Sequence, residues 1–151
     1  MKKFLSTLSF ILLNFFFLWI GSLFTTPGVK SEWYQSLHQA PWTPPGFVFG
    51  LAWFTIAITF GILTSFLRKK DEDLFLLCLI SWIPNVFWNS SFFFFNRISL
   101  SGFIILLLLL IIYSIYHKVR KVYGNISWLI LPYLIWLIIA NSLNWYIYFF
   151  N

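Results

Sequence analysis

Long apolar runs separated by short polar breaks make up almost the whole chain. Five stretches, residues 4–24, 47–67, 74–95, 100–116 and 128–150, contain no Asp, Glu, Lys or Arg. They approach or exceed the roughly 18–20 residues needed to cross a hydrocarbon core. The runs are continuous rather than alternating, so they predict helices and not barrel strands. Lipid offers no partner to an open backbone amide, which leaves the helix as the fitting spanning form. The pattern predicts an all-α membrane protein, one domain over residues 1–151, built as a compact bundle of five transmembrane helices. Its connections are short except for one structured loop between the first two helices.

Composition supports the same class. Of 151 residues, 60% are hydrophobic, 24% aromatic and only 9% charged, and the mean hydropathy is +0.84. Soluble domains carry about 25% charged residues, so this chain lacks the means to cover a water-facing surface. Its one cysteine, Cys78, rules out an internal disulfide or a multi-cysteine metal site and reads as a small core residue.

The net charge of +6 follows from topology and calls for no nucleic acid. With five spans, Lys2, Lys3, Arg68, Lys69, Lys70, Lys118, Arg120 and Lys121 fall on one side, and Lys30 and Arg97 on the other. That 8 to 2 division of the ten basic residues puts the N-terminus in the cytoplasm of a bacterial cell membrane. Residues 31–46 and the C-terminus then lie outside. The acidic run Asp71, Glu72 and Asp73 counts little in that rule. Met-Lys-Lys before an apolar run is also how a signal peptide begins, but this run is long and lacks a clear small-residue cleavage site. Retention of the first span is expected.

Familiar catalytic and metal-binding patterns are absent from the sequence. It has no phosphate-binding glycine loop and no paired histidines, and His38 and His117 stand apart as solvated loop or helix-end residues. No ionisable residue lies inside a span, which argues against an ion-coupled transporter or proton pump. No metal and no cofactor is expected.

Aromatic and amide side chains at helical spacing remain. Phe49, Trp53, Ala57 and Phe60 fall within about 80° of one helix face. Ser81, Asn85, Trp88 and Phe92 form a second such stripe, and Tyr133, Trp136, Ala140 and Asn144 a third. Each stripe taken singly is explained by packing, since Trp and Tyr populate membrane interfaces and Asn and Ser join helices. Three together favour a pocket for a flat, largely apolar ligand with a few polar edges. Pro84 and Pro132 are expected to interrupt their spans and bend them.

The loop SEWYQSLHQAPWTPPG, residues 31–46, carries far more aromatic surface than a connector needs. Ser31 is a candidate cap for a short turn through Trp33, Tyr34 and Leu37. Pro41, Pro44 and Pro45 stiffen the remainder, and Pro44 or Pro45 can open the second span. Such a preordered segment reads as a lid.

WYQSLHQAPWTPP followed by FGLAW, then NVFW with FF close behind, then PYLIWLIIANSLN resembles the tryptophan-rich sensory protein or translocator protein (TspO/MBR) family. The resemblance runs through nearly the whole chain in the right order. It implies a five-helix bundle, often a homodimer, with a ligand cavity beneath the first loop. It also implies porphyrins, sterols or isoquinoline-type compounds as ligands, and for some members light-dependent breakdown of porphyrins. Carried over by motif, the ligand-binding residues are Tyr34, Trp42, Trp53, Asn85, Trp88, Trp136, Ala140 and Asn144. Trp53 and Trp136 become catalytic only if the protein is a photo-oxidase.

The chain departs from the family pattern at three places. Gln39-Ala40-Pro41-Trp42 stands where Lys-Pro-x-Trp is usual, Ala57 where a tyrosine is common, and Ser81 where a glutamine is common. These changes suggest a roomier, less polar pocket. The tail LNWYIYFFN has no basic residue after its tyrosines, so the sterol pattern is incomplete and specific cholesterol binding is not expected. The leading reading is a porphyrin-binding membrane protein with a sensory or regulatory role. A photo-oxidase and a transporter of the same ligand are the alternatives.

Overall fold

The computed structural model describes residues 2–151, with side chains from residue 4 onward. Among these residues there are helices and no strands. Five helices are long: α1 (Lys2–Gly28), α3 (Gly46–Leu67), α4 (Glu72–Asn89), α5 (Ile98–Tyr123) and α6 (Leu131–Phe150). A single-turn helix, α2 (Glu32–Ser36), lies in the loop after α1. Four apolar stretches are long enough to cross a membrane: Phe4–Gly28, Gly46–Leu67, Glu72–Phe94 and Ile98–Phe150.

The last of these is 53 residues long and is not one rod. Gly124 ends α5 at φ +65 and ψ −123, a conformation a side chain would strain. A 3₁₀ segment, Gly124–Ile130, then turns the chain into α6. The two helices run antiparallel: Asn144 Nδ2 donates to the Ile98 carbonyl (3.0 Å) near one end, and Asn141 Nδ2 to the Ile105 carbonyl (3.2 Å) further along.

Proline positions correct part of the sequence reading. Pro132 does not interrupt a helix. It occupies the first turn of α6, where its missing N–H has no intrahelical partner to lose. Pro84 lies inside α4, which continues past it to Asn89. The departure from α geometry comes after that, as a π turn over Ser90–Phe94. Pro45 is the N-cap of α3, as the loop chemistry suggested. The helices also outrun the apolar runs: α1 reaches Gly28 with Pro27 inside it, and α5 reaches Tyr123 with Arg120 and Lys121 in its last turn. Those cations suit a helix C-terminus.

Contacts between ends sort the basic residues. Tyr123 Oη donates to the Lys70 carbonyl (3.1 Å), joining the end of α5 to the turn between α3 and α4. The Arg68 guanidinium sits 5.8 Å from the Phe10 ring centre, which brings the start of α1 to the same end. At the opposite end, the His38 N–H donates to Asn151 Oδ1 (2.8 Å), and Trp33 meets Phe92 at 5.5 Å between ring centres. The acidic run also has a local use. Asp71 caps α4 by accepting from the Leu74 N–H (3.0 Å), and Glu72 and Asp73 occupy the first turn, where negative charge is favoured.

The bundle is packed at its basic end. Phe60, Leu63 and Leu67 of α3 meet Cys78 of α4, Ile112, Ile115 and Val119 of α5, and Ile130 at the entry to α6, all essentially without exposure. Gly61 lets α1 come close, since an added Cβ would lie 2.8 Å from the Ile11 backbone. Small residues permit this approach between membrane helices. Toward the loop end, a cavity opens among the same helices.

Candidate functional site

A cavity of about 810 Å³ opens beneath the loop between α1 and α3. This is within the roughly 300–1,000 Å³ typical of small-molecule sites. Every long helix contributes to its wall. The α1 wall is small and polar, with Gly21, Ser22, Thr25 and Thr26 above Phe17 and Leu18. The α3 wall is Gly46, Phe49, Gly50 and Trp53; α4 and its π turn supply Asn85, Trp88, Asn89 and Phe93. Ile105, Trp136 and Ala140 close the far side, and Lys30, Tyr34, Gln35 and Gln39 approach from the loop.

Helical spacing explains why these side chains meet. Phe49 and Trp53 are one turn apart on α3, and Trp136 and Ala140 one turn apart on α6. Trp136 receives Phe49 edge-on at 5.0 Å and 87°, and lies 6.3 Å and 74° from Trp53. These are favourable edge-to-face arrangements. They hold both indoles against the cavity without filling it.

The polar groups divide into two sets. The Trp88 indole N–H donates to Asn144 Oδ1 (3.1 Å), and the Ser101 hydroxyl donates to the same oxygen (2.9 Å). With the Asn144 amide donating to the Ile98 carbonyl, this knot ties α4, α5 and α6 together. Asn89 ties α4 to α1: its Oδ1 accepts from Thr25 Oγ1 (2.7 Å) and its Nδ2 donates to the Asn85 carbonyl (3.0 Å). By contrast, the Asn85 amide and the indole N–H groups of Trp53 and Trp136 make no hydrogen bond to any described residue. All three residues line the cavity. They are donors and acceptors left for something else.

The loop above is braced on both sides. Ser31 accepts from the Tyr34 N–H (3.2 Å), capping α2, and donates to the Gly28 carbonyl (2.7 Å). Tyr34 rests on Phe93 at 5.5 Å, and burial raises its hydroxyl above the ordinary phenol range. That hydroxyl therefore stays a neutral donor. On the α6 side, the Trp42 indole N–H donates to Ser142 Oγ (3.1 Å) and its ring meets Tyr146 at 5.2 Å.

Six of the eight expected ligand residues therefore share the cavity wall: Tyr34, Trp53, Asn85, Trp88, Trp136 and Ala140. Asn144 does not reach it. That residue borders an adjoining small space of about 50 Å³, which shares Tyr34, Phe49, Trp88 and Ala140 with the cavity, and spends its amide on the knot. Trp42 is 53% exposed and lies on the outer side of the loop against α6, away from the cavity. Ala57 and Ser81 also lie elsewhere. Both are buried, and the Ser81 hydroxyl donates to the Cys78 carbonyl.

The sequence reading missed the α1 wall, Asn89 and Lys30. A signal was present for Asn89, one turn beyond Asn85, and for Gly21, Ser22, Thr25 and Thr26, which pair at i and i+4 on a single face.

Residues 10–149 match the model of the TspO/MBR family. The chain belongs to the TspO/MBR family. Relatives from three organisms are similar over most of their length. The tryptophan-rich protein TspO of Archaeoglobus fulgidus is 30% identical over 87% of this chain and 87% of its own. The TspO of Bacillus cereus is 29% identical over 82% and 83%, and the CrtK protein of Rhodobacter capsulatus 28% identical over 87% and 83%. The cavity thus belongs to a TspO/MBR membrane protein, and four of its tryptophan and asparagine positions (Trp53, Asn85, Trp88 and Trp136) were already legible as motif residues.

Proposed function

We propose that this protein binds porphyrin-type tetrapyrroles within its helix bundle and serves a sensory or regulatory role in their metabolism. The observation that carries the reading is the cavity of about 810 Å³ with aromatic faces on three helices and unpaired polar groups at Asn85, Trp53 and Trp136. A tetrapyrrole is flat, broad and apolar, with polar atoms at its centre and edges. Indoles supply its contact area and the amide supplies orientation. The loop acts as the lid, held by Tyr34 below and by Trp42 outside.

In this reading α1, α3, α4, α5 and α6 each cross the membrane, with the N-terminus cytoplasmic and residues 31–46 outside. The basic end faces the cytoplasm in accord with the positive-inside rule. The working unit is a homodimer. A C-terminal fluorescent fusion tests the orientation: it should be exported, and fluorescence confined to the cytoplasm contradicts it.

The proximity of Trp53 and Trp136, 6.3 Å between ring centres beside the cavity, favours a second reading as a light-dependent photo-oxidase. The bound pigment would absorb light and the indoles would be the oxidisable partners. Purified protein titrated with protoporphyrin in darkness and in light separates the two. Saturable dark binding with equal photobleaching in protein and empty detergent supports the binder. Protein-dependent loss of pigment in light supports the oxidase, and no dark binding removes both.

A further inference from the structure

Lys30 is the single charged residue on the cavity wall, and no acidic residue accompanies it there. It lies two residues past the end of α1, in a turn fixed by its own N–H to the Pro27 carbonyl (3.2 Å) and by the next N–H to the Gly28 carbonyl (3.1 Å). The residue is exposed, so its ammonium remains hydrated at the mouth. No carboxylate pairs with it among the described residues. The cavity is therefore polarised along its length. A cation and the amides of Gln35 and Gln39 line it from the loop, whereas Asn85, Trp53 and Trp136 line it from the helices below. Trp53 is seven residues into α3, about 10 Å below its start at 1.5 Å per residue.

We infer that the site selects amphipathic ring ligands carrying a free carboxylate on one edge, which enter ring-first and leave the carboxylate at Lys30. The inference rests on the tetrapyrrole reading and deepens it by fixing the ligand's orientation and its required charge. An ammonium at a half-wet mouth forms a charge-assisted hydrogen bond with a carboxylate. The apolar ring meanwhile leaves water for the indoles. A neutral ligand of the same shape forfeits only the first of these contacts. Reversed entry would bury the carboxylate against Ile105 and Trp136 without a counter-charge, which is costly.

The test compares protoporphyrin with its dimethyl ester in darkness, on the full-length protein and on Lys30→Gln and Lys30→Arg. The parent should bind the diacid about tenfold more tightly than the ester, the lower range for one hydrogen bond to a charged group. Lys30→Gln should weaken only the diacid and bring the two within about twofold, whereas Lys30→Arg should keep the preference. Raising the salt concentration should shrink it in the parent. Equal affinities in the parent, or equal weakening of both ligands by Lys30→Gln, overturn the Lys30 assignment and leave the binding site standing. Failure of both ligands to bind the parent overturns the tetrapyrrole reading together with it.

Discussion

The two ends of the bundle are built from the same kinds of residue and behave differently. At the basic end, Leu63, Leu67, Ile112 and Ile115 have no exposure, and glycine draws α1 against α3. At the loop end, Gly21 and Gly28 bring α1 equally close to α4 and its π turn, where an added Cβ would lie 2.8 Å from Asn89 Nδ2 and 2.5 Å from Phe93, but the glycines of α3 leave a gap. An added Cβ at Gly46 or Gly50 meets nothing within 4 Å, because both face open space. The lesson is that the packed half carries the stability that lets the hollow half stay hollow. Dispersion contacts hold membrane helices together, and a cavity forfeits them along its lining.

The largest effects should come from opening the packed half. Leu63→Ala should cost about 2–5 kcal/mol of stability, the range for a leucine truncated in a close-packed interior. Thermal or detergent unfolding measures it. A loss as small as that of an exposed position such as Ile62→Ala would contradict the division into halves.

Asn144 lies at the boundary and sharpens the comparison. Asn144→Ala strips the partner from the Trp88 indole N–H, while the Ser101 hydroxyl and the Ile98 carbonyl keep each other (2.7 Å), and should cost about 1–3 kcal/mol of stability. Asn85→Ala strips partners from nothing in the protein. It should leave unfolding nearly unchanged and weaken porphyrin binding severalfold. Two asparagines with interchanged phenotypes would show that the polar sets have been assigned the wrong way round.

Trp53→Phe and Trp136→Phe should each lower affinity by about 0.5–1.5 kcal/mol, the scale of an aromatic pair contact, in a dark titration. If the protein is a photo-oxidase, both variants lose most illuminated turnover as well. Phe keeps the contact but is harder to oxidise than indole. Equal photobleaching in parent, variants and empty detergent leaves only the binding role.

The smallest equilibrium effect is expected at the lid. Trp42 touches Ser142 and Tyr146 rather than the cavity, so Trp42→Ala should speed ligand release more than it shifts stability. Stopped-flow displacement reads the rate, and an unchanged off-rate makes the loop a brace without a gating role.

The spans were legible because uncharged runs of this length have few other physical uses, and the basic residues marked one end. Which face of each span points inward was less legible. Ile62 is exposed while its neighbour Leu63 is buried, and in a lipid-bathed helix both faces are apolar. The aromatic stripes overcame this in part, since Trp53, Asn85, Trp88 and Trp136 meet where their spacing suggested. Their partners were hidden. Asn144 and Asn85 look alike in sequence, and only the approach of Trp88 and Ser101 makes one of them structural. The α1 wall escaped notice because Gly, Ser and Thr are ordinary in membrane helices. Pro132 misled because a proline reads alike at a helix start and inside a span; the glycine eight residues earlier decides between them.

The central claim is that the hollow half is a tetrapyrrole site. Tryptophan fluorescence of purified protein titrated with protoporphyrin in darkness tests it most directly, with Gly50→Trp and Asn85→Ala beside the parent. A bulky side chain at Gly50 has open space to occupy on the cavity wall. The account predicts one saturable site per chain in the parent, weakened in Asn85→Ala and lost in Gly50→Trp while the bundle stays folded. Unsaturable quenching in the parent, or equal affinity in all three proteins, would contradict it.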